Sequence, residues 1–220
     1  MRIKIQGGWF QDEPFHAYFG DDGQFIPSIT QVLKLTGISD YSGVDQAVLD
    51  AAAERGTKVH HLAAAFNRYG EVDPNWIEVE PELNGYFNAY MSFLSDSGFR
   101  PDPEWTEVPM IACIHGFRVG ITPDCHGILR RDNCIIELKT TAARMPGWTI
   151  QTAIQECAIY KSNHCGRVRR FALMLMRDGK YRLGDEHTDH DNDMADGIAA
   201  LRVVWRRIRD GQKVWEKVQS

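Results

Sequence analysis

The chain has 220 residues, 43% of them hydrophobic and 25% charged, enough for one sizeable core but not for two large ones. No stretch approaches the roughly 18 to 20 consecutive apolar residues of a membrane span. The opening residues 1–8 carry no apolar signal core, so the expectation is a cytoplasmic protein with a single domain over residues 1–220 and no membrane partner. The five cysteines, at 113, 125, 134, 157 and 165, contain no Cys-x-x-Cys pair, which argues against a disulfide framework and against a four-cysteine metal site. The net charge of −5 hides an asymmetry. Residues 1–110 hold 7 Lys/Arg against 17 Asp/Glu, and residues 111–220 hold 18 against 13. An acidic chain does not simply coat nucleic acid, but it can carry a local basic track.

In chain order, Phe15 to Phe19 reads as a strand closed by the turn residues Gly20-Asp21-Asp22-Gly23. Pro27-Ser28 opens a short helix, with Ser28 as N-cap and Gly37 as stop. Residues 44–69 read as helix, with Gly56 as the place for a kink. Val48, Leu49, Ala52, Val59, Leu62, Ala63 and Phe66 recur there at three- and four-residue spacing. Glu82 to Leu94 is a further helix. After Pro103 the period changes, and residues 105–113, 117–129 and 133–139 read as short β-rich runs. Helix returns at about 147–161. Val168 to Met176 is an apolar run of strand length, Asp178-Gly179 signals a hairpin into Tyr181-Arg182-Leu183, and residues 194–209 form the last helix. Helices, then strands, then helix–strand–helix is a mixed α/β pattern around one sheet.

The chemistry concentrates at Asp124 and at Ile135-Ile136-Glu137-Leu138-Lys139-Thr140. Alternation along a strand points Glu137 and Lys139 one way, and Ile136 and Leu138 the other, into the core. Asp124 falls on a neighbouring strand if 125–134 forms a hairpin, with Arg130-Arg131-Asp132-Asn133 as its turn. Two carboxylates and a backbone carbonyl are hard oxygen ligands for Mg²⁺ or Mn²⁺. Such an ion polarises a phosphodiester, and a lysine beside it orients water or stabilises developing charge. Taken alone, Glu-x-Lys at a strand end is more often a surface ion pair. Asp124 and the apolar lead-in shift the balance.

Asp124 followed by Glu137-Leu138-Lys139 resembles the signature of the PD-(D/E)XK nucleases. Upstream, Arg55-Gly56-Thr57-Lys58-Val59-His60 is similar to the Arg-Gly-Thr-x-x-His motif of the RecB-like branch, which includes phage-type exonucleases. Downstream, Gln151-Thr152-Ala153-Ile154-Gln155 sits where that branch carries Gln-x-x-x-Tyr, with Gln155 in the tyrosine's place. The resemblance spans about residues 27 to 160. It implies a restriction-endonuclease-like core, a central mixed β-sheet flanked by helices, with a helical N-terminal part. It implies His60, Asp124, Glu137 and the Leu138 carbonyl as metal ligands, Lys139 as catalytic lysine, and Gln151 facing the DNA or the site. His61 is the competing ligand; it lies about 100° further round a helix. An imidazole ligand shifts preference from Mg²⁺ toward Mn²⁺. The implied activity is exonuclease action on DNA in recombination or repair, with DNA as partner and a recombination or single-strand-binding protein as a second.

Glu107 is a candidate further carboxylate, a solvated strand residue being the simpler account. Thr140 and Thr141 fit either a phosphate contact or a strand cap. Lys161, Arg167, Arg169, Arg170, Arg177, Lys180 and Arg182, with Arg202, Arg206, Arg207, Arg209, Lys213 and Lys217, form a basic set, part of which is expected to line the substrate path. Arg202, Arg206 and Arg209 also fit the wet face of an amphipathic helix. Residues 185–193, rich in Asp and His, read as a solvated loop before a helix rather than as a second metal site. Two rivals stand beside the nuclease. One is a catalytically inactive nucleic-acid-binding or structural protein on the same fold. The other is a metal hydrolase built on His60, His187 and His190.

Overall fold

The structure, a computed structural model, describes residues 2–4, 10–12, 17–73, 80–141, 145–160, 168–212 and 214. Phe15, His16, Lys161, Cys165, Arg167, Lys213 and Lys217 lie outside them.

The two longest apolar runs pair at the centre of the main sheet. Strand β9 (Asp132–Lys139) and strand β10 (Val168–Leu175) lie parallel, in register from Asn133 opposite Val168 to Lys139 opposite Met174. Helix α4 (Gly147–Tyr160) lies between them in the chain and packs on both. Strands covered on both faces read as near-continuous hydrophobic runs, as these do. β8 (Cys125–Leu129) joins β9 antiparallel, Cys125 opposite Ile136 and Leu129 opposite Asp132. The turn between them is therefore the two residues Arg130 and Arg131, not the four expected. Both have positive φ, 52° and 81°, the hand a two-residue hairpin turn requires. β11 (Tyr181–Leu183) and β5 (Arg100–Pro101) complete a five-stranded mixed sheet in the order β11-β10-β9-β8-β5.

Two helices cover one face. α2 (Gln46–Tyr69) starts at Asp45, whose carboxylate caps the Ala47 and Val48 amides, and runs unbroken through Gly56 to a left-handed Gly70. α3 (Glu82–Ser97) runs a turn further than expected and stops at a left-handed Gly98. Val59, Leu62, Leu83, Tyr90 and Phe93 from these helices pack on Ile136, Leu138 and Leu173. Glu137 and Lys139 therefore face the other side, where α4 lies.

A second core gathers α4, α1 (Ile29–Leu35), α5 (His190–Arg209) and the hairpin of β6 (Met110–Ile114) and β7 (Phe117–Ile121). α1 is set by a capping box between Ser28 and Gln31, and Gly37 beyond it is left-handed at φ 76°. β1 (Arg2–Lys4), β2 (Phe10–Asp12), β3 (Ala17–Phe19) and β4 (Phe25–Ile26) form a small antiparallel meander. A Cβ at Gly120 would lie 2.0 Å from the Tyr18 ring, so only glycine lets β3 and β7 meet there.

α5 begins at His190, four residues before the expected start, with Asp189 as its N-cap; residues 185–189 form the expected loop before it, and the segment is tied down by ion pairs. Glu186 pairs with Arg169, Asp193 with Arg170 and His190 with Glu156. Among the described residues, no helix is long and apolar enough to cross a membrane.

Candidate active site

The antiparallel register that sets Cys125 opposite Ile136 brings Asp124 across from Glu137. Asp124 Oδ2 accepts from the Leu138 amide at 2.6 Å, so the acid at the mouth of β8 is tied to the end of β9. Both carboxylates are nearly sealed, Asp124 being 5% and Glu137 2% exposed.

α2 delivers His60 into this corner, while His61 is exposed. Nδ1 of His60 lies 3.3 Å from Asp124 Oδ1 and 3.2 Å from Glu107 Oε1, and Nε2 lies 3.2 Å from the Leu138 carbonyl oxygen. Ligand atoms of His60, Glu107 and Asp124 all fall within 4.8 Å of one another. Burial alone would lower the His60 pKa, but the charges of Asp124 and then Glu107 outweigh it and hold the ring well above its ordinary value. Without a metal the ring is then an imidazolium that donates from both nitrogens.

Glu107 is not the solvated strand residue expected. It precedes β6 at a left-handed φ of 50°. Its amide donates to the Pro123 carbonyl at 2.9 Å, and Arg68 Nη2 donates to the carbonyls of Thr106 and Glu107 at 2.5 and 3.2 Å. A non-glycine residue in this region costs about 1–3 kcal/mol and persists only where its surroundings over-determine it. The clamp turns the side chain inward, and Oε1 is buried beside His60 without a hydrogen bond.

Glu137, expected as a ligand, stands just outside the converging three. Its Oε1 accepts from Lys139 Nζ at 2.8 Å and from Gln151 Nε2 at 2.6 Å, and its Oε2 from Gln155 Nε2 at 2.9 Å. Gln151 and Gln155, one turn apart on α4, thus grip the two oxygens of one carboxylate. Burial first, and then the charge of Asp124, push the Glu137 pKa up against the pull of Lys139 and Gln155. Burial opposes the charge on Lys139, yet Glu137 and Asp124 keep its pKa above the ordinary lysine value. Tyr160 takes no part here; its hydroxyl bonds His126 Nε2. Thr140 packs toward α2, its hydroxyl 3.8 Å from where a Cβ on Gly56 would stand.

The basic set divides. Arg170, expected among the phosphate contacts, is 1% exposed and bonds the Thr149 carbonyl, Glu156 and Asp193 at 3.0, 3.2 and 3.1 Å. Arg169 pairs with Glu186 through Nε and Nη2. Both belong to the scaffold because β10 is a central strand, where a charge must be paired. Arg207 donates to the Leu35 carbonyl. The three histidines of the rival hydrolase fall in separate groups, His187 on Thr152, His190 on Glu156 and His60 on Asp124 and Glu107.

Two carboxylates and the Nδ1 of an imidazole form a donor set suited to a hard divalent ion. The Leu138 carbonyl, expected as a further ligand, instead faces Nε2 on the ring's other side, where it can accept a hydrogen bond. The Nδ1 separations of 3.2 and 3.3 Å from the two carboxylates are close to the roughly 3.0 Å between adjacent ligands of an octahedral ion bound at about 2.1 Å. A scan against protein-family models finds no match, and a search of curated proteins returns no similar sequence.

Proposed function

We propose that the chain is a divalent-metal-dependent nuclease that hydrolyses phosphodiester bonds of DNA, with a restriction-endonuclease-like core and the PD-(D/E)XK arrangement of the RecB-like branch. One observation carries the proposal. Asp124, Glu107 and His60 converge, with the buried, unbonded Oε1 of Glu107 among them, directly beside a Glu137–Lys139 pair. In the metal-free site the His60 imidazolium is the cation between these two carboxylates, and a divalent ion would take its place with a second charge.

The residues fit Mg²⁺ or Mn²⁺. Asp124, Glu107 and His60 through Nδ1 would hold the ion, with Glu137 as the next available carboxylate, while the Leu138 carbonyl would accept from Nε2–H and fix the ring; the imidazole favours Mn²⁺. A bound ion there supplies a polarised phosphodiester and a more acidic water. For its part, His60 gives up its proton to become a ligand. Lys139, fixed by Glu137 at 2.8 Å and kept protonated, places positive charge where a phosphoryl oxygen gains negative charge. Gln151 and Gln155 fix the Glu137 carboxylate, and through it the direction of the ammonium. Exonuclease action in phage-type recombination or repair is the proposed biological setting.

The test is cleavage of linear, circular and single-stranded DNA with Mg²⁺ or Mn²⁺. The parent should cleave at least one of these, and Asp124→Ala should lose on the order of 10²-fold or more in rate. A variant as fast as the parent overturns the assignment.

A further inference from the structure

Two cavities adjoin the site. One, of about 200 Å³, opens at His60 and Glu107. The other, of about 220 Å³, opens instead at the amine, with Lys139 and Gln151 in its lining. Its flat and apolar walls come from Tyr41, Trp148 and the α1 residues Leu33 and Leu35. Thr30, whose hydroxyl bonds Ser28 Oγ at 3.0 Å, and Ser39 also line it, as does Lys34, which pairs with no carboxylate among the described residues.

Tyr41 is set in place without being covered. The Asp40 carboxylate accepts from the Ser42 amide at 2.9 Å, and the Val44 amide donates to the Tyr41 carbonyl at 3.0 Å. Two successive tight turns therefore fix the backbone around a tyrosine left 39% exposed, with Val44 exposed beside it in the chain. An exposed aromatic ring on a hydrogen-bonded turn, at a cavity reaching the Lys139 ammonium, has no role in the core and offers a face on which a planar group can stack.

We propose that this cavity takes one unpaired nucleobase of the strand being cut, the base adjoining the phosphodiester at Lys139, with Tyr41 as its stacking partner. Its volume is below the ~300 Å³ at which drug-sized pockets begin, so it admits a single heterocycle and not a base pair. An aromatic face accepts any base, so the preference is for strandedness and not for sequence. A base inside a duplex must leave its stack to enter. The substrate class is therefore single-stranded DNA or a frayed end. The inference rests on the nuclease assignment and narrows it.

The experiment walks one abasic residue through a labelled single-stranded oligonucleotide. Binding is read by fluorescence anisotropy with Ca²⁺, and cleavage is read separately with Mn²⁺. In the parent, base loss at one position beside the cut should weaken binding by on the order of 10-fold. Tyr41→Ala should weaken binding of the intact oligonucleotide by a similar factor and erase the abasic effect at that position. Tyr41→Trp should restore both, and a blunt duplex of the same sequence should bind less tightly than the single strand. A flat scan in the parent, an abasic penalty that persists in Tyr41→Ala, or a duplex bound as tightly as the single strand each overturn the pocket while leaving the nuclease standing. A parent that cleaves no DNA at all removes the nuclease assignment and the pocket with it.

Discussion

Adding Mn²⁺ should raise the melting temperature of this protein, and the rise should grow with pH. In the metal-free site the His60 proton is the counter-charge of Asp124 and Glu107. The ring's folded pKa lies well above its ordinary value of about 6.5. Its stabilising contribution is therefore fully present below about pH 6.5 and is lost as pH rises through the folded value. Glu137 acts in the same direction. Its folded pKa is raised, so ionising it costs the folded state more than the unfolded chain. Metal binding runs opposite, because the ion needs the neutral ring. Between about pH 6.5 and the folded His60 pKa, each pH unit should tighten binding tenfold, about 1.4 kcal/mol. At a fixed Mn²⁺ concentration above Kd, a domain of this size should gain about 3–5 °C of extra metal-induced shift per pH unit. Thermal unfolding across pH, with and without Mn²⁺, measures it. His60→Ala should show a smaller shift that does not grow with pH. No Mn²⁺ or Mg²⁺ effect at any pH, or a variant as steep as the parent, would refute the donor set.

Two further predictions concern the scaffold. Arg170→Met leaves Asp193 without its cation and Glu156 with His190 alone. Allowing for the partial exposure of both acids, it should cost about 2–4 kcal/mol, or roughly 5–15 °C in melting temperature. DNA affinity measured well below that melting point should stay at the parent value, and a fall in affinity with no loss of stability would return Arg170 to the substrate path. Gly56→Ala should raise stability by about 0.5–1 kcal/mol in a denaturant titration, because α2 is continuous there and the new methyl meets only Thr140 at an ordinary 3.8 Å. A loss of stability would show that α2 needs glycine's freedom at this point.

Asp124, Glu137 and Lys139 are legible in the sequence because strand alternation and hairpin register are local rules. Once 125–139 is a hairpin, its geometry sets one acid across from the other. His60 is legible only through a motif, since helical periodicity gives a face but not what the face meets. Glu107 carries no such signal. Its inward turn depends on a left-handed backbone that glutamate does not announce and on Arg68, 39 residues earlier. The ion pairs between the basic and acidic runs are hidden for a different reason. Each reads as solvent-facing in isolation, yet Arg169 and Arg170 are the partners of Glu186 and Asp193, and a cation in a strand between two helical layers had to find an acid. The start of α5 at His190 follows from the same pairing, since Asp193 and His190 are held by Arg170 and Glu156 before any apolar residue of that helix begins.

The most direct measurement separates metal binding from chemistry at Lys139. Mn²⁺ binding and single-turnover DNA cleavage are compared for the parent, Lys139→Ala and Asp124→Ala. The account predicts that the parent binds and cleaves, that Lys139→Ala binds Mn²⁺ but loses on the order of 10²-fold or more in rate, and that Asp124→Ala loses both. A Lys139→Ala protein that cleaves like the parent, or a Mn²⁺-loaded parent that cleaves no DNA, would contradict it.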